Sequence, residues 1–312
     1  GFLVALFVLA GGITILQVAA NPLIATLGDA GGASSRLTFA QAFNSLGTTV
    51  WPWIGAQLIL GSVAAIDPAT IPPDRLPAFR AAEAAIVGRI YVGIAIVLLL
   101  IALVFWVRRT ALPVERPETV GFLDSLGLLR QPRVLSGTIA LFVYVGAEVS
   151  IGSMLVNYLE QPSTLGLDPR SAGERLAFYW GGAMVGRFVG AWLLRKVVPG
   201  RLLAMFAAIA ALLVIVSMAT SGAVSGWSLI AVGLFNSIMF PTIFSLALEG
   251  QGEKTAEASG LLCMAIVGGA VLPLVAGSIA DATTLATALI VPVICYALIA
   301  GFGLSTARHG HR

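Results

Sequence analysis

The sequence carries little charge. Only 11% of its 312 residues are Asp, Glu, Lys or Arg, whereas 58% are hydrophobic. A soluble domain usually carries about 25% charged residues, so this chain has too few to cover a water-facing surface. The composition therefore excludes an ordinary soluble domain and predicts that most of the chain faces lipid or other apolar helices.

Cysteine and histidine are equally scarce, with two of each. Cys263 and Cys295 lie inside apolar runs, where cysteine usually serves as a small hydrophobic side chain. His309 and His311 lie in the C-terminal tail. We therefore predict no metal site and no cofactor. The basic residues form no patch beside aromatic residues, which argues against a nucleic-acid partner.

Long runs without any charged residue indicate membrane spans. A helix needs about 20 apolar residues to cross a bilayer. The charge-free runs are residues 1–28, 37–66, 90–107, 202–248, 258–280 and 282–307. Residues 202–248 are long enough for two crossings, with a turn expected at 221–226. Two further spans, 134–159 and 176–194, hold one charge each. The sequence predicts an all-α polytopic protein with nine transmembrane helices.

The basic residues also predict an orientation. If the segment after the first helix is cytoplasmic, thirteen Lys and Arg residues lie inside and five outside, as the positive-inside rule requires. We expect a multi-pass protein of the cell inner (plasma) membrane. The predicted domains are a three-helix N-terminal part (1–107), a cytoplasmic linker (108–133), a six-helix bundle (134–307) and a cytoplasmic tail (308–312).

The parts before and after the linker share a spacing of polar residues, glycines and prolines, which indicates a weak internal repeat. In each pair the proline follows five residues later: Gln17 and Pro22, Asn236 and Pro241, Gly47 and Pro52, Gly268 and Pro273. The second part has three more helices before its matching motif than the first part has. We therefore expect three further helices before this chain, in a twelve-helix protein, or a relative that has lost them.

Five segments resemble the fucose/glucose/galactose permease family of the major facilitator superfamily, the last of them only through that superfamily's general signature. They are residues 16–22 (LQVAANP), 34–49 (SSRLTFAQAFNSLGTT), 144–148 (YVGAE), 240–246 (FPTIFSL) and 186–190 (GRFVG, followed by Arg195 and Lys196). The resemblance implies two six-helix bundles that rock about a central sugar site, with proton symport. Fucose-type members have a carboxylate at the position of Gln17 and an amide at that of Glu148. The exchange of the two here looks like the glucose/galactose branch.

Glu148 is the acid that lies deep inside a predicted span, fifteenth in 134–159. A charge there costs about 2.5–3.5 kcal/mol on insertion scales, so intramembrane acids usually serve function. We predict that Glu148 is the proton-coupling residue and also contacts substrate. Tyr144, four residues earlier, lies on the same helix face. Its phenol could donate to Glu148 or stack on a sugar ring.

Amide side chains at matching depth complete the predicted substrate site. Amides both donate and accept hydrogen bonds, as sugar hydroxyls do. The same residues could instead join neighbouring helices. The predicted binding residues are Gln17, Asn21, Gln41, Asn44, Tyr144, Glu148 and Asn236. Arg187 is interpreted as a residue that snorkels to the cytoplasmic face.

The sequence thus predicts a secondary active transporter that moves a monosaccharide with a proton and acts as a monomer in the lipid bilayer. Sodium is the alternative coupling ion. One alternative is an uncoupled facilitator in which Glu148 only accepts hydrogen bonds; another is a transporter for a different small polar solute. An intramembrane enzyme would need a nucleophile–base pair or a metal cluster at depth. The predicted spans hold no histidine and one carboxylate, which disfavours an enzyme.

Overall fold

The structure is a computed structural model that describes residues 2–60, 72, 75–108 and 125–309. The regular elements of these residues are helices, so the predicted all-α fold is confirmed. They are α1 (Phe2–Thr26), α2 (Ala33–Leu60), α3 (Leu76–Arg108), α4 (Pro132–Glu160), α5 (Pro169–Leu193), α6 (Pro199–Ala219), α7 (Gly222–Asn236), α8 (Met239–Leu248), α9 (Thr255–Met264), α10 (Gly268–Ala282), α11 (Leu285–Ala288) and α12 (Ile290–His309).

Local sequence sets several of these helix ends. Pro132, Pro169 and Pro199 open α4, α5 and α6, where the missing N–H of proline costs nothing and its fixed φ suits a helix. Gly222 begins α7 with φ +64°, a backbone conformation that glycine adopts without strain. The turn between α6 and α7 is therefore shorter than the predicted turn at 221–226.

The number of membrane spans differs from the prediction of nine. Seven helical segments in the described part of the chain are long and apolar enough to cross a membrane. The other two predicted spans fall on α2 and α5, which have 28 and 25 residues. At 1.5 Å per residue both would reach across a bilayer of about 30 Å. Their polar and charged residues lower the hydropathy, as expected of helices that turn a polar side inward.

The chain divides into two compact units. The first comprises Gly1–Gly47 and Pro117–Arg312, and its core includes the fully buried side chains of Tyr144, Tyr179 and Tyr296. The second comprises Thr48–Arg116. In its described part, apolar side chains of α3 are exposed, as expected of a lipid-facing helix.

The predicted domain boundaries stay predictions. Most of the predicted linker, residues 109–124, lies outside the described residues. The described end of the linker forms a short helical turn, Gly127–Arg130, before α4 begins. The last three residues of the predicted tail also lie outside the described residues, and α12 itself continues to His309.

One helical path is interrupted in the middle. Residues 237–238 separate α7 from α8, and Pro241 follows three residues after the break. Because proline has no N–H, the carbonyl four residues earlier, that of Ser237, loses its helical partner. Pro22, the predicted counterpart of Pro241, lies inside a continuous α1. The internal repeat therefore stays a prediction, and the local geometry at its two prolines differs.

Three glycines on α5 bring this helix close to α7 and to the break that follows it. A Cβ on Gly186 would lie 2.5 Å from the carbonyl oxygen of Leu234, and one on Gly182 would lie 3.3 Å from the Leu234 nitrogen. Gly190 lies in the same way against Ile238. Small residues four apart allow such close helix crossings in membranes. The contact places the α5 side chains directly beside the break between α7 and α8.

Candidate functional site

Glu148 and Tyr144 form the first part of the candidate site. Both lie on α4, where the spacing of four residues places them on one face. The Tyr144 hydroxyl lies 2.8 Å from Oε1 of Glu148 and 3.1 Å from the backbone carbonyl oxygen of Asn236, so both acceptors are within reach of its one O–H. Tyr144 is fully buried, whereas Glu148 is half-buried. The hydroxyl thus joins the carboxylate of α4 to the last residue of α7.

Asn236 is the centre of this buried polar cluster. Its Nδ2 donates to the Tyr179 hydroxyl at 2.8 Å, and its Oδ1 accepts from the Tyr296 hydroxyl at 2.8 Å. The side chain is fully buried. The polar atoms of Asn236, which was predicted as a sugar ligand, therefore bind tyrosines from α5 and α12. We call Tyr144, Glu148, Tyr179, Asn236 and Tyr296 the acid cluster.

The amides of α1 and α2 form a second group. Nε2 of Gln41 donates to Oδ1 of Asn21 at 3.3 Å, and Nδ2 of Asn44 lies 3.4 Å from Oε1 of Gln41. Asn21 is buried, Gln41 is half-buried and Asn44 is exposed. Gln17 is half-buried one turn before Asn21. The three hydrogen-bonded amides, named here the amide ladder, run from the interior to the surface.

Arg187 bonds to the backbone of Gln41 and to that of Ser237, the residue after Asn236, so its interpretation as a snorkelling residue was wrong. It is half-buried on α5. Its Nε donates to the carbonyl of Ser237 at 3.2 Å, and its Nη1 donates to the carbonyl of Gln41 at 3.2 Å and to the Ser45 hydroxyl. The Ser237 carbonyl is the one that Pro241 leaves without a helical partner. Arg187 therefore supplies a hydrogen bond to the free carbonyl at the helix break and also bonds to the backbone of α2.

Sequence reasoning missed this role for a clear reason. The partners of Arg187 are 50 and 146 residues away along the chain. The available signal was indirect: an arginine inside a span, and a proline that frees a carbonyl elsewhere.

The electrostatic environment of Glu148 is set by few groups. The ion pairs among the described residues are Arg133 with Glu249 and Arg170 with Glu174. Glu148 belongs to neither, although the charge of Arg187 acts on it from α5. The described residues contain no group of three or more His, Cys, Asp or Glu side chains that could hold a metal. The Glu148 carboxylate gives the acid cluster a group that can hold or release a proton. The side-chain amides of the amide ladder can exchange hydrogen bonds with a polyol.

Six of the seven predicted binding residues consequently fall into two places, and Gln17 lies one helical turn before Asn21, outside both. Asn21, Gln41 and Asn44 meet in the amide ladder, and Tyr144, Glu148 and Asn236 meet in the acid cluster, as the hydrogen bonds show. Whether any of these side chains binds a sugar stays a prediction.

Comparison with known proteins places the chain in a family. The family model described as Major Facilitator Superfamily matches residues 1–272. The glucose/galactose transporter of Brucella abortus (strain 2308) is 48% identical over 303 residues, which cover 97% of this chain and 71% of that protein. The L-fucose-proton symporter of Escherichia coli (strain K12) is 33% identical over 313 residues, which cover 96% of this chain and 70% of that protein.

A solved structure agrees with this assignment. The crystal structure of the transporter FucP in the outward conformation matches with a TM-score of 0.90 and 31% identity, and the match covers 98% of this chain and 76% of that one. The all-helical fold, the apolar spans and the polar clusters between helices fit the same class of membrane protein. The chain belongs to the Major Facilitator Superfamily.

Proposed function

We propose that this chain moves a monosaccharide of the glucose, galactose or fucose type across the inner membrane together with a proton, by alternating access. The observation that carries the proposal is the 48% identity to a glucose/galactose transporter along 97% of the chain. The similarity to an L-fucose-proton symporter supports the proton as the coupling ion.

Glu148 is the proposed coupling residue. Its carboxylate lies within the span Pro132–Glu160 and, among the described residues, has no ion-pair partner. A carboxylate in such a place is costly when charged, so it gains a proton readily when its surroundings become less polar. Only a group that binds a proton differently in the two facing states can link proton flow to sugar flow.

The amide ladder is the proposed sugar-binding surface. Its exposed end, Asn44, and its buried end, Asn21, are joined through Gln41. The Nδ2 group of Asn21 is buried without a hydrogen-bond partner, and a buried donor is costly until it is bonded. A sugar hydroxyl would satisfy such a donor, and Gln17 lies one helical turn away on α1.

Contacts at one end of the helices support alternating access. Ser34, near the start of α2, lies 2.6 Å from the Ser245 hydroxyl near the end of α8. Ser35 donates to the carbonyl of Ala191, near the end of α5, at 2.6 Å. The predicted orientation places all of these ends on the cytoplasmic side. The contacts then keep that side closed, in keeping with the outward conformation of the similar crystal structure.

We propose that the N-terminal part (1–107) and the six-helix bundle (134–307) rock against each other, with the cytoplasmic linker (108–133) between them and the tail (308–312) at the end. A rocking of this kind would break the serine contacts and expose the site to the other side.

Uptake of radiolabelled glucose, galactose and fucose into membrane vesicles tests the proposal. With a pH gradient, acid outside, sugar should accumulate above its external concentration; without the gradient it should only equilibrate. A sodium gradient at constant pH tests the alternative ion. Equilibration alone under both gradients would identify a facilitator instead.

Glu148→Gln tests the assignment of the coupling residue. The amide keeps the size and hydrogen bonding of the side chain but exchanges no proton, so accumulation should fall to the equilibrium level. The matched control is Glu174→Gln, which alters an exposed acid at the start of α5. If the Glu148→Gln protein still concentrates sugar as the control does, Glu148 is not the coupling residue.

A further inference from the structure

We propose that Tyr144 transmits the protonation state of Glu148 to the break between α7 and α8, by shifting its single hydroxyl proton between two acceptors. The inference rests on the proposed function, because it takes Glu148 as the residue that gains and loses the coupled proton. Tyr144 acts through Glu148 and is therefore a positioning residue.

The two acceptors compete for one donor. The Tyr144 oxygen lies 2.8 Å from Oε1 of Glu148 and 3.1 Å from the carbonyl oxygen of Asn236. A phenol carries one O–H, so a strong bond to one acceptor weakens the bond to the other. An ionised carboxylate is the better acceptor, since charge-assisted hydrogen bonds are roughly twice as strong as neutral ones.

Protonation of Glu148 reverses this preference. The proton comes from the aqueous phase and stays on the carboxyl group, so no covalent bond of Tyr144 breaks. The neutral carboxyl is a weaker acceptor. It is also a donor, and its O–H can donate to the Tyr144 oxygen. Tyr144 then donates to the Asn236 carbonyl. One added proton thereby strengthens a hydrogen bond on a different helix.

The Asn236 carbonyl is the place where such a change acts on the backbone. Asn236 is the last residue of α7, directly before the break that accompanies Pro241. Its side chain is already held by Tyr179 and Tyr296, so the amide stays fixed while the carbonyl changes partner. An unsatisfied buried carbonyl is costly, and the occupancy of this bond therefore biases the geometry of α8 relative to α7.

Among the described residues, the other charged or titratable groups near Glu148 are not placed to take this role. They are Tyr179 and Arg187 on α5 and Tyr296 on α12. The Tyr179 hydroxyl faces the backbone carbonyl of Glu148 at 3.4 Å, Tyr296 bonds to Asn236, and Arg187 bonds to backbone carbonyls. In the described part of the chain, Tyr144 is the hydroxyl that bonds the carboxylate itself.

Tyr144→Phe tests the proposal through the pH dependence of sugar uptake. The variant loses a donor that favours the ionised carboxylate, so the midpoint of uptake against pH should move to higher pH by about one unit, a tenfold change in the protonation equilibrium. The matched control is Tyr158→Phe. Tyr158 is a buried tyrosine of the same helix whose hydroxyl donates to the carbonyl of Ser217 at 3.0 Å. Its removal should leave the midpoint unchanged.

A second substitution separates the proton shift from a packing defect. Site-specific 3,5-difluorotyrosine at position 144 keeps the ring and is a stronger donor, so the midpoint should move the opposite way, to lower pH. A packing defect would not shift the pH midpoint of uptake in opposite directions in the two variants. This arm also holds if Tyr144→Phe fails to fold.

Glu148→Gln distinguishes the failure of this inference from that of the proposed function. If Glu148→Gln keeps the pH dependence of the unmodified protein, the proposed coupling role is wrong. If Glu148→Gln abolishes the pH dependence while Tyr144→Phe and the fluorinated variant keep the original midpoint, the inference about Tyr144 alone is overturned. Combining Tyr144→Phe with Glu148→Gln should add no further pH effect.

Discussion

Replacement of Asn236 by Ala should destabilise the protein without being specific to sugar binding. The substitution removes two side-chain hydrogen bonds, to the hydroxyls of Tyr179 and Tyr296. On the scale of soluble proteins, leaving the Tyr296 hydroxyl without a partner would cost about 1–3 kcal/mol, and losing the bond to Tyr179, whose hydroxyl keeps the Glu148 carbonyl, about 0.5–1.5 kcal/mol. In a bilayer the unfolded reference also finds partners, and single contacts are worth about 0.6–1.7 kcal/mol. We therefore expect a loss of about 1–3 kcal/mol in the free energy of unfolding.

Reversible unfolding of the purified protein in mixed detergent micelles measures this loss. The matched control is Asn157→Ala, which removes an exposed amide on α4 and should change the stability by less than about 0.5 kcal/mol. A residue that only binds the sugar would behave differently. Its replacement by Ala would raise KM and leave the free energy of unfolding near that of the control. An Asn236→Ala protein with unchanged stability and a raised KM would refute the role of Asn236 as the centre of the acid cluster.

Three further substitutions test other parts of the structure. Gly186→Ala should lower the free energy of unfolding by about 1–3 kcal/mol, because the added Cβ would overlap the backbone of α7. The control Gly181→Ala places its Cβ in open space and should leave the free energy of unfolding unchanged. Asp168→Ala should lower the melting temperature at neutral pH, because the carboxylate caps α5. Hydrogen bonds from Ser171 hold the pKa of Asp168 below its ordinary value, so this difference should disappear as the pH falls through the lowered value. Arg187→Lys should reduce uptake about tenfold or more, because lysine lacks the planar guanidinium that donates to both carbonyls. The control Arg170→Lys, at an exposed ion pair, should have little effect on uptake.

The local features of the site could be predicted from the sequence because they depend on short spacings. Tyr144 and Glu148 are four residues apart on a long apolar helix, and helical geometry alone places them together. The same argument groups Gln41 with Asn44. The apolar runs likewise predicted the helices, although seven helical segments of the described residues, not nine, have the length and hydropathy of a span, because α2 and α5 carry polar and charged side chains.

The long-range features could not be predicted, because they depend on how distant helices meet. Sequence reveals that Asn236 lies at depth in a span, but not that Tyr179 and Tyr296, 57 and 60 residues away, occupy its polar atoms. Within a membrane span, a polar side chain that is hydrogen-bonded to other residues cannot be told from one that binds a ligand by sequence alone. Arg187 shows the same limit, since its partners became visible only once α2, α5 and the α7–α8 break were placed together.

The most direct test of the central claim is proton movement driven by sugar. Galactose or glucose is added to vesicles in weakly buffered medium without an imposed gradient, and the external pH is recorded. The account predicts that sugar entry makes the medium more alkaline in the unmodified protein and leaves it unchanged in the Glu148→Gln protein. Sugar entry without any pH change in the unmodified protein, or an equal pH change in the variant, would contradict proton coupling through Glu148.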